Sequence, residues 1–354
     1  MKLSWRRVEL TTREPFALAT GTDATFPSYL VTLHADDDAG TIGHGEATLN
    51  PRVTGETATS IEAFLAWARD ELSARSPADW RAFLAHMHDD ICGNPSARCA
   101  VDWALHDLAG QRAAVPARRL LAPAAPAAAL ETCMTIGMVA PEQVARLAQA
   151  HVAAGFSHLK LKLGDASADA ARLRAARAAA PTATLRADAN TGWTLDEARA
   201  LLPELVAAGI TFLEQPFVPD ARGDVAMVGF AREAAAAAPG LLVCADESVA
   251  DVHDIKRLLK LGFGGAFNLK LAKAGGLAPL AAAAGLAREA GAPLQLGCMV
   301  ESAIAHHGGR QVIGLVDAID LDAPFLLAHD PSGLPPPSSA RLETPPGSGL
   351  GLAL

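Results

Sequence analysis

The chain has 354 residues, half of them apolar, so it can bury the core of one large domain and a smaller one. A formal charge of -9 with no basic run excludes nucleic acid as the expected partner. Five widely spaced cysteines without a CxxC pair exclude a disulfide framework or a zinc site and read as buried thiols.

The opening "MKLSWRRVEL" lacks the apolar run of a signal segment, and the longest apolar stretch, "LLAPAAPAAALETCMTIGMVAP", is interrupted by prolines and a glutamate. The expectation is a cytoplasmic protein without a membrane partner. "VELTTREPFAL" and "YLVTLHADDDAGTIGHGEA" read as antiparallel strands joined by an Asp/Gly turn. Helical patterns follow in "IEAFLAWARDELSA" and "ARCAVDWALHDLAGQRA". These elements make residues 1–125 an α+β domain, and the Pro/Ala-rich segment "AAVPARRLLAPAAPAAA" marks its boundary.

From residue 126 to about 325 the pattern changes to strand, loop and alanine-rich helix, repeated. The apolar strand segments are "LETCMTI", "HLKLKLG", "ATLRADA", "TFLEQP", "LLVCADES", "AFNLKLAK", "APLQLGC" and "AIDLDAP". An α/β barrel has this rhythm, as does a doubly wound open sheet. The barrel is favoured because polar residues end nearly every strand, whereas an open sheet gathers them at one switch point. Residues 326–354 form a C-terminal segment expected to pack back on the first domain.

The strand ends carry the chemistry. Asp188, Glu214 and Asp246 end three neighbouring strands, and three hard carboxylates converging on one point suit Mg²⁺ with positions left open for a substrate. Any one of them alone would read as the cap of the next helix. In "HLKLKLG", Leu159, Leu161 and Leu163 alternate onto one face and Lys160 and Lys162 onto the other. If that face is internal, its ammonium groups need anionic partners. Lys162 and Lys270 fall on strands two and six, opposite each other around an eight-stranded ring. They would stand on either side of a carbon held at the metal, one to remove a proton and one to return it. Lys160, desolvation and the cation are expected to push the base's pKa down. Lys273, three residues past Lys270, is expected to lie outside the ring.

"KLKLG", "RADANTGW", "FLEQP", "CADES" and "NLKLAKAGG" resemble the signature run of the enolase superfamily in its muconate-lactonising subgroup, over nearly the whole chain. The resemblance implies a (β/α)7β TIM-like barrel behind an N-terminal α+β capping domain. It also implies Mg²⁺ on Asp188, Glu214 and Asp246, acid/base lysines at 162 and 270, and Lys160 supporting the enolate oxygen. Within the subgroup, "DLDAP" is similar to the Asp-x-Asp with which dipeptide epimerases hold a substrate ammonium, and Asp320 and Asp322 could receive one through charge-assisted bonds. Alone, "DLD" would read as a turn or cap.

"NPRVTGET" and "GCMVES" are similar to the same group, and Met299 in the second is a candidate pocket residue, as is Trp193. The implied activity is epimerisation of an L,L-dipeptide at its C-terminal residue. N-acylamino acid racemisation and o-succinylbenzoate synthesis are the alternatives. Members preferring acidic second residues commonly carry an arginine near position 20. Here "ALATGTDATFPSY" has Asp23 instead, so a neutral or basic second residue is expected. His44, His106, His306 and His307 read as surface or packing residues. A homo-oligomer is compatible with this reading.

Overall fold

A computed structural model describes residues 1–18, 21–36, 40–121 and 126–353. Three antiparallel strands open the chain: β1 (Lys2–Leu18), β2 (Gly21–His34) and β3 (Ile42–Thr48). In β2, Tyr29, Val31 and Leu33 point to one face and pack on helices 58–73 and 95–112 through Leu65, Leu72, Val101 and Leu105. Leu30 points the other way, onto Ala303 and Ile304 of a barrel helix. The sheet is therefore buried on both sides, and its second face is what seats it on the barrel. Gly43 and Gly45 make the first packing possible, since a Cβ at either would come within about 2 Å of the Ala104 or Ala100 carbonyl oxygen.

After β4 (Ala129–Glu131) come eight parallel strands: β5 (Met134–Ile136), β6 (His158–Lys162), β7 (Thr184–Asp188), β8 (Ile210–Glu214), β9 (Leu242–Ala245), β10 (Ala266–Lys270), β11 (Leu294–Gly297) and β12 (Ala318–Asp320). They pair in sequence order, and a parallel bridge between Thr132 and Ile319 joins the last strand to the first. The ring is closed, as the sequence pattern predicts. The first predicted strand, "LETCMTI", divides: its start forms β4 and only its end enters the barrel. Leu159, Leu161 and Leu163 face the outer helices, whereas Lys160 and Lys162 are buried inside.

Beyond the barrel, β13 (Leu327–His329) pairs antiparallel with β1, and β14 (Arg341–Glu343) pairs with β4. The predicted Asp/Gly turn falls partly, and the predicted Pro/Ala boundary partly, outside the described residues. No helix among the described residues is long and apolar enough to cross a membrane.

Candidate active site

Parallel register carries the acidic strand ends to one level. Asp188 sits beside Lys162 on one side and Glu214 on the other, and Glu214 sits beside Cys244, two residues before Asp246. One carboxylate oxygen from each of Asp188, Glu214 and Asp246 lies within 4.8 Å of the others, and all three residues are buried. None of the three caps a helix. The caps of the helices that follow are supplied by Thr194, Asp220 and Asp251, which leaves the strand-end acids free to converge.

The lysines meet this cluster from both sides. Lys162 Nζ is 2.7 Å from Asp188 Oδ2, and Lys270 Nζ is 2.8 Å from Asp246 Oδ2. Lys160 lies between them and reaches Glu214 Oε2 at 2.8 Å, Asp188 Oδ2 at 3.1 Å and Asp320 Oδ2 at 2.7 Å.

Lys273, expected outside the ring, is buried in it. Its ammonium donates to Asp246 Oδ1 at 2.6 Å, to the Asp246 carbonyl at 2.5 Å and to the Asn268 carbonyl at 3.3 Å. Residues 271–274 form a helical turn, so a residue three past Lys270 returns to the same side. That spacing was the available signal.

Two amides were not singled out. Asn268 Nδ2 donates to Glu214 Oε2 at 3.0 Å, and Gln295 Nε2 donates to Glu214 Oε1 at 2.6 Å. Arg186 in turn donates to Gln295 Oε1 at 3.1 Å. Gln215, held at φ 30°, accepts the Asp246 and Ser248 backbone N–H groups and so fixes the turn that presents Asp246.

The electrostatics follow from four buried carboxylates among four lysines. Burial would raise the Asp188 and Asp246 carboxyls, yet the adjacent ammonium groups prevail and hold both well below the usual range. Burial works to lower Lys160 and Lys270, but the carboxylates facing them outweigh it and hold both above their ordinary value. Glu214, with two amides as well as Lys160, is pushed up by burial. Glu247, held by Asn190 Nδ2 at 3.1 Å, is raised to about 7 by burial and by its neighbours Asp246 and Asp188.

Three tightly grouped, buried, hard oxygen donors fit a divalent ion such as Mg²⁺. Asn190 Oδ1, Glu247 Oε2 and Asn268 Oδ1 are also buried without a protein partner among the described residues, and are acceptors that waters around such an ion could satisfy.

At the rim, Asp320 accepts from Lys160 and from the Cys133 thiol at 3.0 Å, whereas Asp322 accepts from Thr135, whose backbone N–H lies at 2.8 Å and whose hydroxyl also bonds to it. Asp322 occupies the cap position of the 323–326 turn but its side chain does not cap it. Burial and the nearby Asp320 raise its carboxyl to about 6. Met299 is buried just past β11, where Asn50 Nδ2 contacts its sulfur at 3.9 Å. Asp23 is exposed near the tip of the β1–β2 hairpin, 4.0 Å from Arg52. Trp193 points behind the site and donates to Asp169 Oδ2 at 2.9 Å. His44 and His106 pack against Asp107 and Asp102.

Comparison with known proteins agrees with this geometry. Residues 2–122 match the mandelate racemase / muconate lactonizing enzyme N-terminal domain, and residues 143–354 match the enolase C-terminal domain-like family. The aromatic dipeptide epimerase of Herpetosiphon aurantiacus is 33% identical over 93% of this chain and 91% of its own length. The dipeptide epimerase of Enterococcus faecalis, solved with Mg and L-Leu-L-Tyr, is similar with a TM-score of 0.89 at 28% identity, covering 99% of this chain and 98% of its own. The L-Ala-D/L-Glu epimerase of Bacillus subtilis, solved as a substrate-liganded complex, also reaches 0.89, at 29% identity over 100% of this chain and 99% of its own. A capping sheet seated on a closed barrel, an acidic triad at its strand ends and matches along both halves have one reading: the chain belongs to the mandelate racemase and muconate lactonizing enzyme family of the enolase superfamily.

Proposed function

We propose that the protein is an Mg²⁺-dependent dipeptide epimerase that moves a proton at the α-carbon of the C-terminal residue of an L,L-dipeptide. The observation that carries this is the pair Lys162 and Lys270, projecting from β6 and β10 onto opposite flanks of the acidic triad. Asp188, Glu214 and Asp246 would hold the ion. Bound there, Mg²⁺ supplies positive charge for the enolate and takes up carboxylate charge that otherwise falls on the lysines.

The chain's own groups supply the rest. Lys162 and Lys270 take the α-proton from one face and return one to the other, each alternating between neutral and charged forms. Lys160, pinned between Glu214, Asp188 and Asp320, offers donors to the substrate carboxylate as it gains enolate charge. Asp322, bonded to Thr135, keeps acceptor capacity for the substrate's α-ammonium, and Asp320 beside it adds negative charge. The three epimerases it resembles act on dipeptides, and this favours that substrate class over N-acylamino acids or o-succinylbenzoate precursors, which have no ammonium to place at Asp322.

The test is deuterium uptake in D₂O with Mg²⁺, run on a panel of L,L-dipeptides and on N-acetyl and N-succinyl amino acids. Exchange and inversion at the C-terminal α-carbon of free dipeptides is the expected result. Faster exchange in the N-acyl amino acids would replace this reading with racemisation.

A further inference from the structure

Residues 17–23 include no lysine or arginine, and the fold brings a cation to them from elsewhere. Arg52, on the turn 51–54, lays its guanidinium over Gly21, where a Cβ would lie 3.3 Å from Arg52 Nη1. Gly21 has φ 143°, a conformation that side-chain-bearing residues rarely adopt, so both its backbone and its missing side chain leave this space to Arg52.

Both segments sit over the mouth of the barrel. The Ala17 carbonyl accepts the Met138 backbone N–H at 3.0 Å, which seats the end of β1 on the loop after β5. The 51–54 turn packs on residues 271–274, directly after Lys270, and neighbouring Asn50 touches Met299. With a dipeptide's carboxylate at Lys160 and the metal carboxylates, and its ammonium at Asp322, the side chain of its second residue leaves the α-carbon toward this cap.

Two charges await it there, Arg52 and Asp23, each about 60% exposed and 4.0 Å apart. A pair so long and so wet contributes little and opens readily. An incoming carboxylate can instead take both guanidinium nitrogens in parallel, the stronger arrangement. The barrel beneath strengthens that choice, because the lysines there are held by carboxylates at 2.7–2.8 Å whereas, among the described residues, the guanidinium of Arg52 is paired with Asp23 at 4.0 Å.

We propose that Arg52 is the specificity-determining residue for the second side chain, and that it selects dipeptides whose C-terminal residue carries a carboxylate, such as L-Ala-L-Glu. This rests on the dipeptide reading above and replaces the expectation drawn from Asp23 alone. Asp23 acts as the exchangeable counter-ion that the substrate displaces.

The experiment measures kcat and KM for L-Ala-L-Glu, L-Ala-L-Gln and L-Ala-L-Lys in the parent enzyme and in Arg52→Met, Arg52→Lys and Asp23→Asn. The parent is expected to favour Glu over Gln and Lys. Arg52→Met should reduce the Glu-to-Gln ratio of kcat/KM by about tenfold or more, mainly through KM for L-Ala-L-Glu. Arg52→Lys should restore part of the ratio, and Asp23→Asn should raise it. A parent preference for L-Ala-L-Lys, or a Glu-to-Gln ratio unmoved in Arg52→Met, overturns this inference and leaves the dipeptide reading standing. Turnover of no dipeptide by the parent overturns both.

Discussion

Lys273 offers a sharp test of how the site is held, because it touches the metal cluster without facing substrate. In Lys273→Met, Asp246 loses the contacts to Oδ1 at 2.6 Å and to its carbonyl at 2.5 Å, and keeps Lys270 at 2.8 Å. Removing one partner of a buried ion pair costs about 3–5 kcal/mol. With one lysine remaining, the lower end applies, about 3 kcal/mol, which for a chain of 354 residues lowers the melting temperature by roughly 4 °C. The sign with pH is fixed. Asp246 has a depressed carboxyl, so its contribution is present at neutral pH and is lost as pH falls through its folded value. The gap between variant and parent should therefore hold from pH 7.5 down to about 4, the range of an unfolded carboxyl, and narrow only below it. It should also narrow when Mg²⁺ is added, since the ion supplies charge beside the same carboxylate. Differential scanning at pH 7.5, 4.5 and 3.0, with and without Mg²⁺, reads all of this. A variant that melts within about 1 °C of the parent in metal-free buffer would refute the assignment of Lys273 to Asp246.

Chelation by EDTA should abolish exchange and Mg²⁺ should restore it, and Asp188→Asn should lower turnover by about a hundredfold or more; full activity in metal-free enzyme would contradict the triad's role. Replacing either Lys162 or Lys270 by Met should stop epimerisation while the surviving lysine still exchanges the α-proton of one stereoisomer, which chiral analysis of deuterated product detects. Equal loss of exchange for both isomers, with binding retained, would count against two opposed bases. Asp322→Asn should weaken free dipeptides by roughly 2–5 kcal/mol and leave Mg²⁺ affinity unchanged by titration calorimetry. Because the Asp322 carboxyl stands near 6, KM for free dipeptides should rise as pH falls below that value and the acceptor is protonated. A KM flat from pH 7 to pH 5 would argue against an ammonium at this carboxylate.

The barrel was legible because each of its strands is a short apolar run between helical patterns, and because Leu159 and Leu161 alternate with two lysines that only an interior full of carboxylates could hold. The triad was legible for a similar reason: Asp188, Glu214 and Asp246 recur at equivalent points of successive units. What sequence did not disclose depends on distance through space. Asn268 and Gln295 look like ordinary strand residues, and only the closed ring brings them onto Glu214 from two other strands. Lys273 was misplaced because a strand was continued where the chain turns into a helix. Arg52 and Gly21 lie 31 residues apart in the chain, so their contact has no local signature. β4 was merged into the first barrel strand because its partner, β14, comes from near the other end of the chain.

Glu214 illustrates a division of labour with practical weight. Its carboxylate is gripped by Lys160, Asn268 and Gln295, from three different strands, and Arg186 braces Gln295 from below. Such a cross-braced floor is intolerant of piecemeal change, since altering any one member strands the others in a dry interior. Thr22 and Asp23 at the start of β2 and the Pro51–Arg52 turn stand apart from it and are exposed. Laboratory evolution toward new dipeptides should therefore accumulate its useful mutations in these two loops and almost none in the floor, and exchanging the loops with those of a relative should transplant selectivity while leaving proton transfer intact.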